Sequence, residues 1–96
     1  MSVLPGAIVR RNAGIIFTDL DDIVVMMDTG AGRYYELDPI GTRIWALLEA
    51  ERSVDEVCEV LLREYDVTSE VCRRDVLAFL ERAGELGIVV AGAAAP

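Results

Sequence analysis

Apolar and polar positions change rhythm twice along this chain. From Ile15 to Leu37 apolar residues fall in short runs separated by turn-forming residues, the habit of strands. From Ile40 onward they recur every three or four positions, the habit of amphipathic helices. The hinge between the two regimes is Gly32 to Leu48. Arg33-Tyr34-Tyr35-Glu36-Leu37 reads as a strand, Asp38 as a helix N-cap and Pro39 as the first helical residue. Ile40, Ile44, Trp45, Leu47 and Leu48 then mark the apolar face of a first helix, running to about Ala50.

Before this hinge, residues 15–20 and 23–28 are two strand candidates joined by an acidic turn, and Ile23 to Asp28 is apolar on both faces, as expected of a central strand. Thr29-Gly30-Ala31-Gly32 is a hairpin turn leading into the third strand, residues 33–37. The expected arrangement is an antiparallel meander with the third strand at an edge. Ala7 to Arg11 reads as either a short strand or an extended arm.

After the hinge, Glu51-Arg52 is a short linker, and Ser53 with Glu56 fits a capping box at the start of a second helix. Its buried face is expected to carry Val54, Val57, Cys58, Leu61, Leu62 and Tyr65. A third helix, capped by Ser69, carries Cys72, Val76, Phe79, Leu80 and Ala83 at helical spacing, and Gly87 stops it. Ile88-Val89-Val90 is a last apolar segment that folds back on the core. The fold class is therefore α+β and winged helix-turn-helix-like, a three-stranded antiparallel sheet followed by three helices. Residues 1–13 are expected to form an N-terminal arm, 14–90 a single domain and 91–96 a flexible tail.

The chain has 96 residues, 53% of them apolar, enough for one domain with a modest core. Its net charge of −8 weighs against nucleic acid, whose binding draws on neutralised phosphates, and against anionic membrane surfaces. Nothing at the start resembles a signal peptide and no stretch is long enough to span a bilayer, so the expected location is cytoplasmic. Cys58 and Cys72 fit a reducing compartment as buried free thiols. With no His, two Cys fall short of a four-ligand zinc site, and no metal or other cofactor is expected. Asp19, Asp21 and Asp22 lack the glycine and closing glutamate of an EF-hand loop, and Gly30 and Gly32 lack the lysine of a phosphate loop. Without His there is also no ready general base, so the expectation is a non-enzymatic protein.

The order of these segments resembles the PqqD-like proteins, small leader-peptide recognition elements of ribosomal natural-product pathways. Asp28-Thr29-Gly30-Ala31-Gly32-Arg33-Tyr34-Tyr35-Glu36-Leu37-Asp38 resembles the family's turn, third strand and step into the first helix, with Asp38 where the family usually has Asn. Thr42 to Leu48, Ser53-Val54-Asp55-Glu56-Val57, and Asp75-Val76-Leu77-Ala78-Phe79-Leu80 followed by Leu86-Gly87-Ile88-Val89 resemble the three helical segments in order. The Gly-Arg-Tyr-aromatic turn is most similar to the stand-alone members of lasso-peptide clusters; a pyrroloquinoline quinone or other radical-SAM pathway is the alternative.

The resemblance implies that a precursor's leader peptide binds as an extra strand beside the third strand and against the third helix. Strand residues Arg33, Tyr34, Tyr35, Glu36 and Leu37 would supply main-chain partners and side-chain pockets. On the helix, Val76, Leu77 and Leu80 are the groove candidates, and Arg73 and Arg74 the candidates to pair with an acidic leader residue. It further implies delivery of the leader to a cysteine protease acting as leader peptidase and to an ATP-dependent cyclase. The protein would be a monomer, or a dimer through the free edge strand. Two other readings compete: a winged-helix DNA-binding regulator, whose recognition helix 69–83 would present Arg73, Arg74 and Arg82, and a structural subunit that binds a folded partner and no peptide.

Overall fold

In the computed structural model, which describes residues 6–92, two small sheets and three helices enclose one core. The first sheet is the expected meander, formed by β2 (Ile15–Leu20), β3 (Ile23–Asp28) and β4 (Arg33–Glu36) in the order β2-β3-β4. β3 is central and β4 lies at an edge, as the pattern predicts. Asp21 and Asp22 join β2 to β3 with φ of 49° and 72°, and this two-residue turn with both residues left-handed suits the right-handed twist of a hairpin. At the other turn the Asp28 carboxylate accepts from the Gly30 and Ala31 N–H groups, while Gly32 takes a φ of 67°.

A second sheet surrounds the N-terminal strand β1 (Ile8–Arg11). The segment for which strand and extended arm were both open is thus a strand. It lies between β5 (Arg52–Ser53) and β6 (Val89–Gly92), antiparallel to both. Val9 is fully buried. The expected linker at Glu51-Arg52 is therefore partly strand, and Ala91 and Gly92 belong to β6 rather than to a tail; residues 93–96 and 1–5 lie outside the described residues. The α+β, winged-helix-like class stands, with two three-stranded sheets in place of one.

Helix α1 (Pro39–Leu47) begins as read: Asp38 accepts from the Gly41 N–H at 2.7 Å and Pro39 occupies the first turn. Its C-terminal carbonyls carry no basic residue of their own. Two arginines from the second sheet supply one: Arg11 donates to the Trp45 carbonyl at 2.6 and 3.0 Å, and Arg52 to that of Leu47 at 2.6 Å. The Arg11 guanidinium also stacks 4.5 Å above the Trp45 ring, against which Phe17 packs edge-on at 5.2 Å. Burial lowers the Arg11 pKa, with Glu49 and Asp19 acting in the opposite direction.

The capping box of α2 (Val54–Glu64) is complete. Glu56 N–H donates to Ser53 Oγ at 3.1 Å and Ser53 N–H to Glu56 Oε1 at 3.0 Å. Val54, Val57, Cys58 and Leu61 are buried, but Leu62 is half-buried and Tyr65 is exposed, because the helix has already ended at Glu64. α3 (Ser69–Glu85) is capped one residue earlier than expected, by Thr68, whose hydroxyl accepts from the Val71 N–H. It stops at Gly87 with a φ of 77°, where Ile88 N–H bonds Ala83 O and Gly87 N–H bonds Gly84 O in a Schellman arrangement.

Candidate functional site

Pairing in the meander decides which groups of β4 are free. Leu37 N–H bonds the Val24 carbonyl, so in the alternating antiparallel ladder Tyr35 and Arg33 also bond inward to β3. The N–H and C=O groups of Tyr34 and Glu36 therefore face outward along the open edge. Side chains alternate as well: Leu37 enters the core and Tyr35 packs against it, while Tyr34 is 73% exposed. Thr42 locks this strand's exit onto α1, its hydroxyl accepting from Val24 N–H at 3.0 Å and donating to Leu37 O at 3.4 Å.

Facing this edge is an open groove of about 350 Å³ between β4 and the C-terminal half of α3. Tyr34, Tyr35, Glu36 and Leu37 form one wall, and Phe79, Arg82, Ala83 and Leu86 the other, with Ile88 completing it. The Schellman turn at Gly87 sets Leu86 and Ile88 in place. Phe79 is set by a close approach: a Cβ on Gly41 would stand 2.8 Å from its Cε1, so only glycine on α1 lets the ring lie there.

The strand half of the expected site thus lines one groove, with Arg33 exposed just beyond its end. The helix half does not line it. Leu80 and Val76 are fully buried core residues and Leu77 packs half-buried against the core. Arg73 is drawn toward α2, with its guanidinium 2.6 Å from the Asp55 carboxylate, which raises its pKa. Arg74 is exposed beside Asp75 at 3.3 Å. The cation at the groove is Arg82, loosely paired with Glu85 at 3.4 Å. Phe79 and Ala83, read in the sequence as part of the helix's apolar stripe, Arg82, read only as a DNA-binding candidate, and Leu86 were not chosen there as groove residues. Their spacing of three and four is visible in the chain and follows the border of the core face, where Ala83 is buried and Phe79 and Leu86 are half-buried.

Cys58 and Cys72 are buried free thiols, with Cys72 Sγ 3.8 Å from the Cys58 carbonyl oxygen. Burial, reinforced by Cys72, pushes the Cys58 thiol up to about 11, away from nucleophilic use. Among the described residues no cluster of three His, Cys, Asp or Glu is placed to hold a metal ion, and no helix is long and apolar enough to cross a membrane.

Two solved structures share this architecture. One, described as TbiB1 in complex with the TbiA(beta) leader peptide, is 29% identical and superposes with a TM-score of 0.79 over 83% of this chain and 93% of that one. The other, lasso peptide synthetase B1 complexed with the leader peptide, is 26% identical with a TM-score of 0.75 over 85% of this chain and 96% of that one. No curated protein sequence matches the chain. Residues 24–89, from the central meander strand to the start of β6, match the family described as Coenzyme PQQ synthesis protein D (PqqD), and the chain belongs to that family.

Proposed function

We propose that this protein is a non-catalytic leader-peptide recognition module in the biosynthesis of a ribosomally made, modified peptide, of the lasso class. The observation that carries the reading is the free edge of β4 facing α3 across an open groove, in a chain whose two structural relatives are described as leader-peptide complexes. The leader adds as a fourth strand: Tyr34 and Glu36 bond its main chain, and alternate leader side chains enter the groove against Phe79, Ala83 and Leu86. The bound precursor is then held for a leader peptidase and an ATP-dependent cyclase, and raising its local concentration is the protein's contribution. The family's description names pyrroloquinoline quinone synthesis, but both solved relatives belong with leader peptides, one of them by description a lasso synthetase component.

The DNA-binding reading draws no support from α3. Arg73, Arg74 and Arg82 each lie against a carboxylate, and the chain carries a net charge of −8. The test is a fluorescence anisotropy titration of a labelled leader segment from the precursor encoded beside this chain, with a scrambled leader and duplex DNA as controls. Saturable binding of the leader alone supports the proposal; a response only to the duplex, or to neither, refutes it.

A further inference from the structure

Val24 and Met26 of β3 are buried on the inner face of the meander, so the pleat turns Ile23, Val25 and Met27 to the outer one. The register sets Ile16 and Tyr34 on either side of Met27, and Leu20 beside Ile23. Six apolar side chains therefore share the outer face. Tyr34, Ile16 and Leu20, at 73%, 61% and 53%, are the three most exposed large hydrophobic residues among those described. β3 is thus apolar on both faces, the pattern of a strand covered on both, yet the fold covers only one. A solvated antiparallel face alternates to polar residues. Apolar residues gathered there instead mark a docking surface.

The border of this face is acidic. Glu36 stands beside Val25 within it, and Asp21 and Asp22 form the turn at one end. Arg33, the meander's one arginine, is in register with Asp28, in a row of the inner face. A second copy of the chain, with the same border and a net charge of −8, would be repelled. Three strands about 4.8 Å apart and about six residues long offer roughly 300 Å². A stable interface takes about 800 Å² from each partner. The face therefore fits a transient partner whose own patch is apolar and rimmed by Lys or Arg.

A leader added beside β4 changes this surface. Strand side chains alternate, so the leader residues that do not enter the groove stand on the outer face next to Tyr34 and Glu36. The face widens by one strand, to roughly 400 Å², and part of it then belongs to the precursor. A partner covering it touches this protein and the leader together, as an enzyme that acts on the leader itself must do.

We propose that the outer face of the meander docks the leader peptidase, through an apolar, basic-rimmed patch on that enzyme, and that the bound leader completes the face. This rests on the leader-recognition reading and adds an order to it: the peptidase binds the loaded protein more tightly than the empty one.

The test titrates the immobilised full chain with the leader peptidase encoded beside it, with and without saturating synthetic leader. Leader binding is followed separately by anisotropy. Leader should raise peptidase affinity roughly fivefold or more, the low end of coupling between two ligands. Ile16→Lys and Leu20→Lys change exposed residues of β2, the meander strand that does not touch β4, so leader affinity and melting temperature should stay at the parent's values. Each should weaken peptidase binding roughly tenfold, through a lost apolar contact and a charge set against a basic rim. Glu59→Lys, an exposed and larger charge change on α2, should alter neither affinity. Parent-like peptidase binding in both β2 variants, equal affinity with and without leader, or no peptidase binding by a parent that binds leader overturns the docking surface and leaves the groove reading intact. So does a dimer of the parent that the Lys variants dissolve, since a second copy is then the occupant, or a response to the cyclase in place of the peptidase. Absence of leader binding by the unaltered protein overturns the recognition reading and this inference with it.

Discussion

The Phe79 ring occupies the space that a Cβ on Gly41 would need, with Cε1 2.8 Å from that position. Gly41 is the third residue of α1, in the first turn where its N–H bonds the Asp38 cap, and the lack of a side chain there permits α3 to place an aromatic wall on the groove. Gly41→Ala should therefore act against its own helix propensity. The added methyl also meets Asp38 Oδ1 at 3.2 Å, crowding the cap of α1. Stability should fall by about 1–3 kcal/mol, as for overpacking, and leader affinity with it. Urea melts and leader titrations of Gly41→Ala, Phe79→Ala and the double variant check this: in the double variant the stability loss from crowding should be largely relieved, while binding stays weak.

Trp45 is 1% exposed, packed by Phe17 and covered by Arg11, and its Nε1 finds no partner among the described residues. Trp45→Ala should cost about 3–5 kcal/mol. Trp45→Phe should cost much less, because it keeps the stacking surface and removes the unpaired N–H. Denaturant unfolding of both variants separates the two contributions.

Arg82 and not Arg74 is the groove's cation. Arg82→Glu should weaken binding of a leader that carries an acidic residue by about fivefold, near 1 kcal/mol for an exposed pair. Arg74→Glu should leave it unchanged. Titrating the same leader with an acidic-to-neutral substitution checks the pairing: its affinity should be far less sensitive to Arg82→Glu.

Acid sensitivity follows from two carboxylates. Hydrogen bonds from Ser53 lower the Glu56 pKa, and the two-pronged Arg43 contact, at 2.6 and 2.7 Å, lowers that of Glu64. Each folded-state value lies below the unfolded one, about 4.3. Their stabilisation is thus complete above the unfolded pKa and lost as pH falls through the lowered folded values. The urea midpoint should hold from pH 7 to about 5 and decline below about 4, in the range set by these carboxylates. A Glu56→Gln, Glu64→Gln variant should decline less steeply.

Local chemistry made much of this fold legible in the sequence. The meander, its edge strand, the Asp38 and Ser53–Glu56 caps and the Gly87 stop each depend on neighbours within a few residues, and each stands as read. What was not legible depends on distant partners. β1 is a strand because Arg52–Ser53 and Val89–Gly92 lie on either side of it, the latter some eighty residues away. Thr68 and Ser69 offer equivalent hydroxyls, and only the helix's actual first turn selects Thr68. Which residues of α3 line this groove was not legible for a similar reason. Val76, Leu80 and Ala83 are buried with Phe79 and Leu86 half-buried beside them on one helix, and only the approach of β4 and Gly41 decides which of them border the open edge.

The central claim is that the leader joins the sheet at β4, and amide hydrogen exchange read by NMR tests it most directly. In the free protein the Tyr34 and Glu36 N–H groups face the open edge and should exchange quickly, while Tyr35, bonded to β3, should exchange slowly. Saturating leader should slow Tyr34 and Glu36 selectively, with Tyr35 little changed. Binding that leaves the exchange of Tyr34 and Glu36 unaltered, or that protects amides elsewhere, would contradict strand addition at this edge.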